Sequence, residues 1–513
     1  MQPSTQQRLW ITIAVLTGML LAAMESTVVS TAMPTVVANL GGLARYTWVF
    51  SIYLLTSTVS MPIWGKFSDL YGRRSAYLLG ISIFLIGSAL SGLSQSMNQL
   101  IIFRALQGLG AGAIIPLGLT IIGEIYTLQE RAKMQGVFSS VWGIASILGP
   151  VLGGFISDNF SWRWVFYINI PFGLLATLVV SFSMKNLPVS ITKPKIDYAG
   201  AISLTTLISL LLIVCLESKE ISSSLITISL LVVCLFLLFA FIYFEKQAVE
   251  PILPLSLFQE RIFLISSVGN FLLGCVLFGT LSFVPLFMQS VLKTTATETG
   301  KTIMFLLFSW ILSSFISSKL ILRLGYRPLV ILGMIALVLG NFLLILSINP
   351  NSNKYYIYLS IAIIGLGMGL ATFAILMAVQ TQVEHKLLGV VTSSTQFFRN
   401  IGGVLGTGTL GSILAFSLAK ITSQASNSEV RQELIQIVDN PSIIFDSSTH
   451  LNLSFESINI FAQALSNSLH SIFIICFFLS LLGLLTALLI PSSQSNEFKE
   501  ISLLEQEKVN TSH

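Results

Sequence analysis

Two charges stand where the sequence around them is apolar. Glu25 interrupts Leu20-Leu21-Ala22-Ala23-Met24 and precedes Ser26-Thr27-Val28-Val29. Arg104 heads Arg104-Ala105-Leu106-Gln107-Gly108-Leu109-Gly110-Ala111-Gly112. Neither can face hydrocarbon cheaply, so each requires an opposite charge, a polar partner or a hydrated cavity. A carboxylate held in such a place can take up and release a proton, because burial penalises its charged form. Glu25 and Arg104 are therefore the expected proton-coupling residues, with Gln107 extending the polar set. The sequence leaves open whether they touch, and whether Glu25 serves a proton, a cationic cargo or both. Arg399 is the third deep charge. It lies one turn before a glycine face and is assigned to gating or cavity electrostatics, against a structural cap.

A second concentration of charge is Gly65-Lys66-Phe67-Ser68-Asp69-Leu70-Tyr71-Gly72-Arg73-Arg74, read as a tight hairpin at a membrane surface between apolar runs. Its cations favour the cytosolic side. Asp69 and Arg73 are spaced i, i+4, and Glu124 falls at the end of a later apolar run, so the three form an expected latch that Arg131 could join. Lys66, Gly72 and Arg74 recur at a constant offset of about 253 as Lys319, Gly325 and Arg327, while Leu322 replaces the acid. The same offset carries Gly149 to Gly402 and Gly153 to Gly406. These residues belong to Gly149-Pro150-Val151-Leu152-Gly153-Gly154 and Gly402-Gly403-Val404-Leu405-Gly406, whose spacing places small residues on one helix face. That matched face is expected to form a rocking interface. A duplicated chain is the simplest source of both matches.

The elements that must position these residues follow from composition. The chain has 513 residues, 54% apolar and 10% charged, where a soluble domain carries about one quarter charged. Apolar runs long enough to cross a hydrocarbon layer of roughly 30 Å recur throughout. The reading is an all-α polytopic membrane protein with fourteen transmembrane helices. An N-terminal six-helix bundle occupies 1–190, an inserted two-helix connector 191–254, and a C-terminal six-helix bundle 255–490. The second bundle carries an external loop at 419–466, and 491–513 forms a cytosolic tail. With the N-terminus inside, seventeen Lys and Arg fall at cytosolic ends, eight outside, and Arg104 and Arg399 within spans, accounting for all 27.

Several classes are excluded. The formal charge of +5 sits in short loops and marks no nucleic-acid surface. Cys215, Cys234, Cys275 and Cys476 all lie in apolar runs without metal spacing, and the four histidines are dispersed. There is no P-loop, so the chain is not read as an enzyme. A channel would also place polar residues in helices, and a specific nutrient importer could use the same bundle; direction of cargo accumulation under a proton gradient separates them. Besides Gln107, the candidate cavity residues are Trp142, Gln396, Phe397 and Arg399.

With these motifs in view, the chain resembles the fourteen-span drug:proton antiporter family of the major facilitator superfamily, in its multidrug exporter branch. The likeness covers nearly all of 9–490 and is strongest at Gly65–Arg74, Arg104–Gly112, Gly149–Gly154 and Thr392–Gly403. It implies a cytosolic gate at Lys66, Asp69, Arg73 and Arg74, with Glu124 as the switching partner. It also implies an antiporter motif at Gly149 and Pro150, continued by Gly153 and Gly154, and a proton-coupling role for Arg104. Glu25 matches an acidic first-span position often held by Asp. No second acid lies deep in the later bundle, which disfavours dications and leaves neutral or monocationic amphiphiles. The implied partners are a small-molecule substrate, protons and membrane lipid, with no nucleic acid and a single chain. No cofactor is expected; the proton gradient drives the cycle. An impermeant thiol reagent should label cysteines introduced at 71 and 324 from the cytosol only; labelling from outside overturns the orientation.

Overall fold

The structure, a computed structural model, describes residues 4–40, 46–184, 197–216, 224–249, 251–294, 296–349, 352–383, 387–424, 432–433 and 455–491. It is helical throughout. The N-terminal half contains α1 (Thr5–Leu40), α2 (Tyr46–Tyr71), α3 (Arg73–Leu93), α4 (Met97–Ile125), α5 (Leu128–Asn159), the short α6 (Trp164–Tyr167) and α7 (Asn169–Ser183). Next come the connector helices α8 (Tyr198–Leu216) and α9 (Ser224–Gln247). The C-terminal half contains α10 (Arg261–Ser290), α11 (Ala296–Leu324), α12 (Tyr326–Ser347), α13 (Lys354–Thr381), α14 (Leu388–Gln424) and α15 (Phe455–Leu488). Leaving out the single turn α6, fourteen helices are described.

Local chemistry sets several of the boundaries. The Ser96 side chain accepts from the amide of Gln99 to cap α4, and Thr127 and Glu130 cap one another at the start of α5. Among the described residues, ten stretches are long and apolar enough to cross a membrane. The helices α2, α5 and α14 are rich in Ser, Thr and Gly. They pack between the halves, α2 against α14 and α5 against α11, where protein rather than lipid receives their polar faces.

Two expected boundaries need correction. Residues 65–74 are not a loop: α2 continues to Tyr71 and α3 begins at Arg73, so Gly72 alone turns the chain. Gly72 has φ 87°, which an L side chain rarely adopts, and its counterpart Gly325 has φ 76°. The connection expected at 419–466 is also shorter, because α14 runs on to Gln424 and α15 starts at Phe455. The amphipathic stretch 429–438, apart from 432–433, and the 492–513 part of the tail lie outside the described residues.

The duplication governs the packing. In the first half α4 packs on α2 and α3, α5 on α1, and α7 on α1 and α3; α13, α14 and α15 repeat these partners with α10, α11 and α12. A Cβ on Gly110 would lie 2.6 Å from the Gly80 carbonyl oxygen, and one on Gly367 would lie 2.6 Å from that of Gly333. Gly108 and Gly112 press on the backbone of α2 as Gly365 and Gly369 press on that of α11. These contacts match α2 to α11 and α3 to α12 at the 253 offset, and α4 to α13 at 257, the longer α12 and the longer α12–α13 connection together supplying the difference. The connector lies beside this frame: α8 and α9 pack on each other, and α8 reaches α2 and α14.

Such close approach makes a specific demand on side-chain size. Gly110→Ala should destabilise the protein by roughly 1–3 kcal/mol, the usual range for overpacking. Gly300→Ala, where a Cβ meets nothing within 4 Å, is the control and should not lower stability. Thermal unfolding of the purified protein reads both; equal unfolding midpoints would remove the packing argument.

Candidate functional site

Glu25 and Arg104 meet. Both are buried, and Arg104 Nη1 donates to Glu25 Oε1 in an ion pair. The second carboxylate oxygen of Glu25 accepts from Asn169 Nδ2 at 2.7 Å. Asn169 also donates to Ser88 Oγ at 3.0 Å, and Ser88 donates to the Phe166 carbonyl at 2.8 Å. Arg104 Nη1 further donates to Gln107 Oε1 at 2.8 Å, its Nε reaches the Val49 carbonyl at 3.3 Å, and its guanidinium lies 4.1 Å from the Tyr53 ring centroid. The pair is thus held by residues from α1, α2, α3, α4 and α7. Two buried donors remain unused, Arg104 Nη2 and Gln107 Nε2.

This network sets what the site can do chemically. Moving both charges out of water costs several kcal/mol each, which the attraction between them and the hydrogen bonds around them must offset. A proton on Glu25 would cancel its charge and loosen its hold on Arg104, leaving a buried cation with donors to spare. Sequence reasoning missed Asn169 and Ser88. Asn169 carried a legible signal, as the only amide in the apolar run 165–184. Ser88 did not, since serine is ordinary in membrane helices.

The matched positions of the second half lack this chemistry. At the same offsets Phe278 stands for Glu25, Ile361 for Arg104 and Ile364 for Gln107. Only the outer pair survives, inverted: Asn341 Nδ2 donates to Ser480 Oγ at 3.1 Å, where Ser88 and Asn169 meet in the first half.

A second cluster gathers at the Gly72 end. Arg73 pairs with Asp69 through Nη1 and donates through Nε to Glu124 Oε1 at 2.7 Å; Nη1 also donates to Ser68 Oγ at 2.7 Å. Asp69 reaches across to the other half, accepting from the Gly389 amide at 3.1 Å and the Val390 amide at 2.9 Å. These are unspent donors at the start of α14, where the helix dipole also favours an anion. No side-chain signal in the sequence marks that partner. A Cβ on Gly65 would lie 2.8 Å from the Gly389 carbonyl oxygen, so the two helices nearly touch. Lys66 is buried beside them on α2. Arg74 serves its own half, donating to the Ser181 carbonyl at 3.0 Å, and its counterpart Arg327 donates to Leu488 at 3.1 Å. Arg131 donates through Nε to the Tyr126 carbonyl at 2.9 Å.

The glycine face of α14 lies elsewhere than expected. Gly402 presses on the Phe271 backbone, Gly403 on the Phe278 ring and Gly406 on Cys275, all of α10. This face therefore packs within the C-terminal half and does not form the boundary between halves, because the small residues are matched to α10 and not to α2. Gly149 and Gly153 are buried on α5, which also contains Pro150 and Gly154. The side chains of Trp142 and Pro150 lie outside the described residues. Phe397 is buried, its ring edge-on to Phe398 at 5.3 Å, and Gln396 is buried and accepts from Arg399.

The cross-half tie at Asp69 can be tested by access. Asp69→Asn removes the charge that binds both Arg73 and the α14 amides; a hydrogen bond to a charged group contributes about 1.5–3 kcal/mol. A cysteine at the buried position Leu388 should then react with a thiol reagent roughly ten times faster or more, as that energy implies. An unchanged rate would sink the tie.

Comparison with known proteins fits this geometry. The sequence profile of the Major Facilitator Superfamily matches residues 15–407. The chain is 36% identical to multidrug transporter protein MdtP of Bacillus subtilis, over 94% of each chain. It is 32% identical to multidrug resistance protein 3 of the same organism, over 96% of this chain and 97% of that one. Two solved structures share the fold. The human organic anion transporter MFSD10 has a TM-score of 0.59 at 15% identity, over 93% of this chain and 100% of that one. The proton:xylose symporter XylE has a TM-score of 0.55 at 13% identity, over 97% and 98%. With two six-helix halves, an inserted helix pair and these relatives, the chain belongs to the major facilitator superfamily, as a multi-pass membrane transporter and not an enzyme.

Proposed function

We propose that the protein exports hydrophobic or amphiphilic compounds, monocations among them, in exchange for protons. It would sit in a bacterial cytoplasmic membrane as a single chain with both termini in the cytosol. Its relatives' names support multidrug efflux. The observation that carries the proton is the fully enclosed Glu25–Arg104 pair. In the charged state the two residues neutralise one another. When Glu25 takes a proton, the hold on Arg104 weakens, and the α1, α4 and α7 contacts that depend on it can rearrange. A monocationic cargo competes for Glu25 with Arg104, so proton and cargo occupy one site in turn.

The halves then rock about this centre. Asp69, Arg73 and Glu124 favour the arrangement in which the Gly72 end is shut, and that end opens when the Asp69 bonds to α14 break. A ligand shifts such an equilibrium only by binding one arrangement better than the other. Protonation of Glu25 supplies that difference here.

Cargo and proton movement measured together in sealed vesicles test this reading. Glu25→Gln keeps the size of the side chain and removes the charge change. It should cut proton-coupled cargo movement roughly 5–150-fold, the span of ordinary coupling energies. Wild-type proton:cargo stoichiometry in the variant would overturn the assignment. Proton coupling retained with loss of cationic cargo alone would make Glu25 a recognition residue. Uptake of cargo down the imposed proton gradient would reverse the direction.

A further inference from the structure

Arg399 is a deep charge that the proton site leaves unused. It lies 399 − 388 = 11 residues into α14, about 16 Å from the helix start at 1.5 Å per residue. Its side chain donates to Gln396, a neutral amide one turn back. No ion pair among the described residues includes it. The described acids of the C-terminal half stand at helix ends or in the long connection: Glu260 is the N-cap residue of α10, Glu298 lies in the first turn of α11 and pairs with Lys354, Glu456 is the second residue of α15, and Glu433 lies between α14 and α15. In the N-terminal half Arg104 is neutralised by Glu25. Among the described residues, Arg399 is therefore an interior cation with no acid paired to it.

That charge faces protein and is still accessible. On the same strip of α14, Gln396 is buried, Asn400 donates to Met61 Sδ of α2 at 3.7 Å, and Gly403 packs on the Phe278 ring. Arg399 itself stays only partly buried. Asn400, next to it, reaches α2 of the other half, so this side of α14 faces the N-terminal half. An isolated cation there is costly until an anion meets it. A guanidinium presents a planar fork of donors suited to a carboxylate, and one N–H of this fork is already spent on Gln396.

We propose that Arg399 is a recognition site for the anionic headgroup of an amphiphilic cargo, a carboxylate foremost, with the apolar body of the cargo lying toward Phe278. The inference rests on the reading of the chain as an exporter and adds a charge class to its cargo. Glu25 and Arg399 then give the two halves opposite preferences, so one protein accepts amphiphiles of either sign.

The test uses the purified full-length chain in detergent and two probes, 1-pyrenebutanoate and 1-pyrenebutylamine, read by energy transfer from the seven tryptophans. Arg399→Gln should weaken butanoate binding about tenfold, equivalent to about 1.4 kcal/mol, and change amine binding by less than about twofold. Arg399→Lys keeps the charge without the fork and should fall between. Unchanged butanoate binding in Arg399→Gln, or equal weakening of both probes, overturns the proposal. If Arg399→Gln does not fold, the wild type and Arg399→Lys decide by thermal unfolding. Saturating butanoate should raise the midpoint more in the wild type than in Arg399→Lys, and equal rises overturn the proposal. Failure of the exporter reading looks different. Butanoate binding through Arg399 without proton-driven export removes that reading alone, whereas proton-driven export with charge-blind binding removes this one alone.

Discussion

A charge inside a bilayer has to be met by protein, and much of this molecule is arranged around that constraint. Glu25 and Arg104 come from helices far apart in the chain, and they become tolerable by facing one another. Their remaining valences draw in Asn169, Ser88, Gln107 and the Val49 carbonyl. These partners dictate how α1, α2, α3, α4 and α7 assemble about one point. At the Gly72 end the same requirement is met differently. Asp69 is satisfied partly by Arg73 and partly by backbone amides of the opposite half. The first cluster binds one half to itself, and the second binds the two halves to each other.

The scaffold is duplicated, but its chemistry is not. Gly110 and Gly367 make equivalent contacts, Gly72 and Gly325 share a left-handed turn, and Arg74 and Arg327 anchor equivalent helices. Packing has therefore been retained in both copies, because steric demands inside a helix bundle do not depend on what is transported. Charge has been retained selectively. Phe278, Ile361 and Leu322 fill with apolar volume what Glu25, Arg104 and Asp69 fill with charge, while Arg399 has only Ser146 as its match at the 253 offset. Each half thus brings a different electrostatic character to the space they share.

Much of the fold was legible in the sequence because it rests on patterns with a physical period. Long apolar runs gave the helices, and the recurrence of Lys66, Gly72 and Arg74 exposed the duplication. Glu25 and Arg104 were visible because charge in an apolar run is costly wherever it lies. What the sequence did not disclose was contact between distant segments. The amides of Gly389 and Val390 have no side-chain signature, and the hairpin expected at 65–74 proved to be a helix broken at one residue. The glycine face of α14 was seen correctly as a packing surface but placed at a rocking interface, whereas it packs on α10 of its own half. Spacing defines a face and says nothing of which helix meets it.

The tie between the halves has one further consequence. On the α14 side it is made by backbone amides, with Gly389 supplying room rather than a functional group. Closure there is consequently blind to most side chains of the C-terminal half. Variation along the rest of α14 can reshape what the protein accepts while the bonds that Asp69 makes to its first turn stay the same. A lineage of such proteins could thus explore new cargoes on one half without having to reinvent the lock that the other half carries.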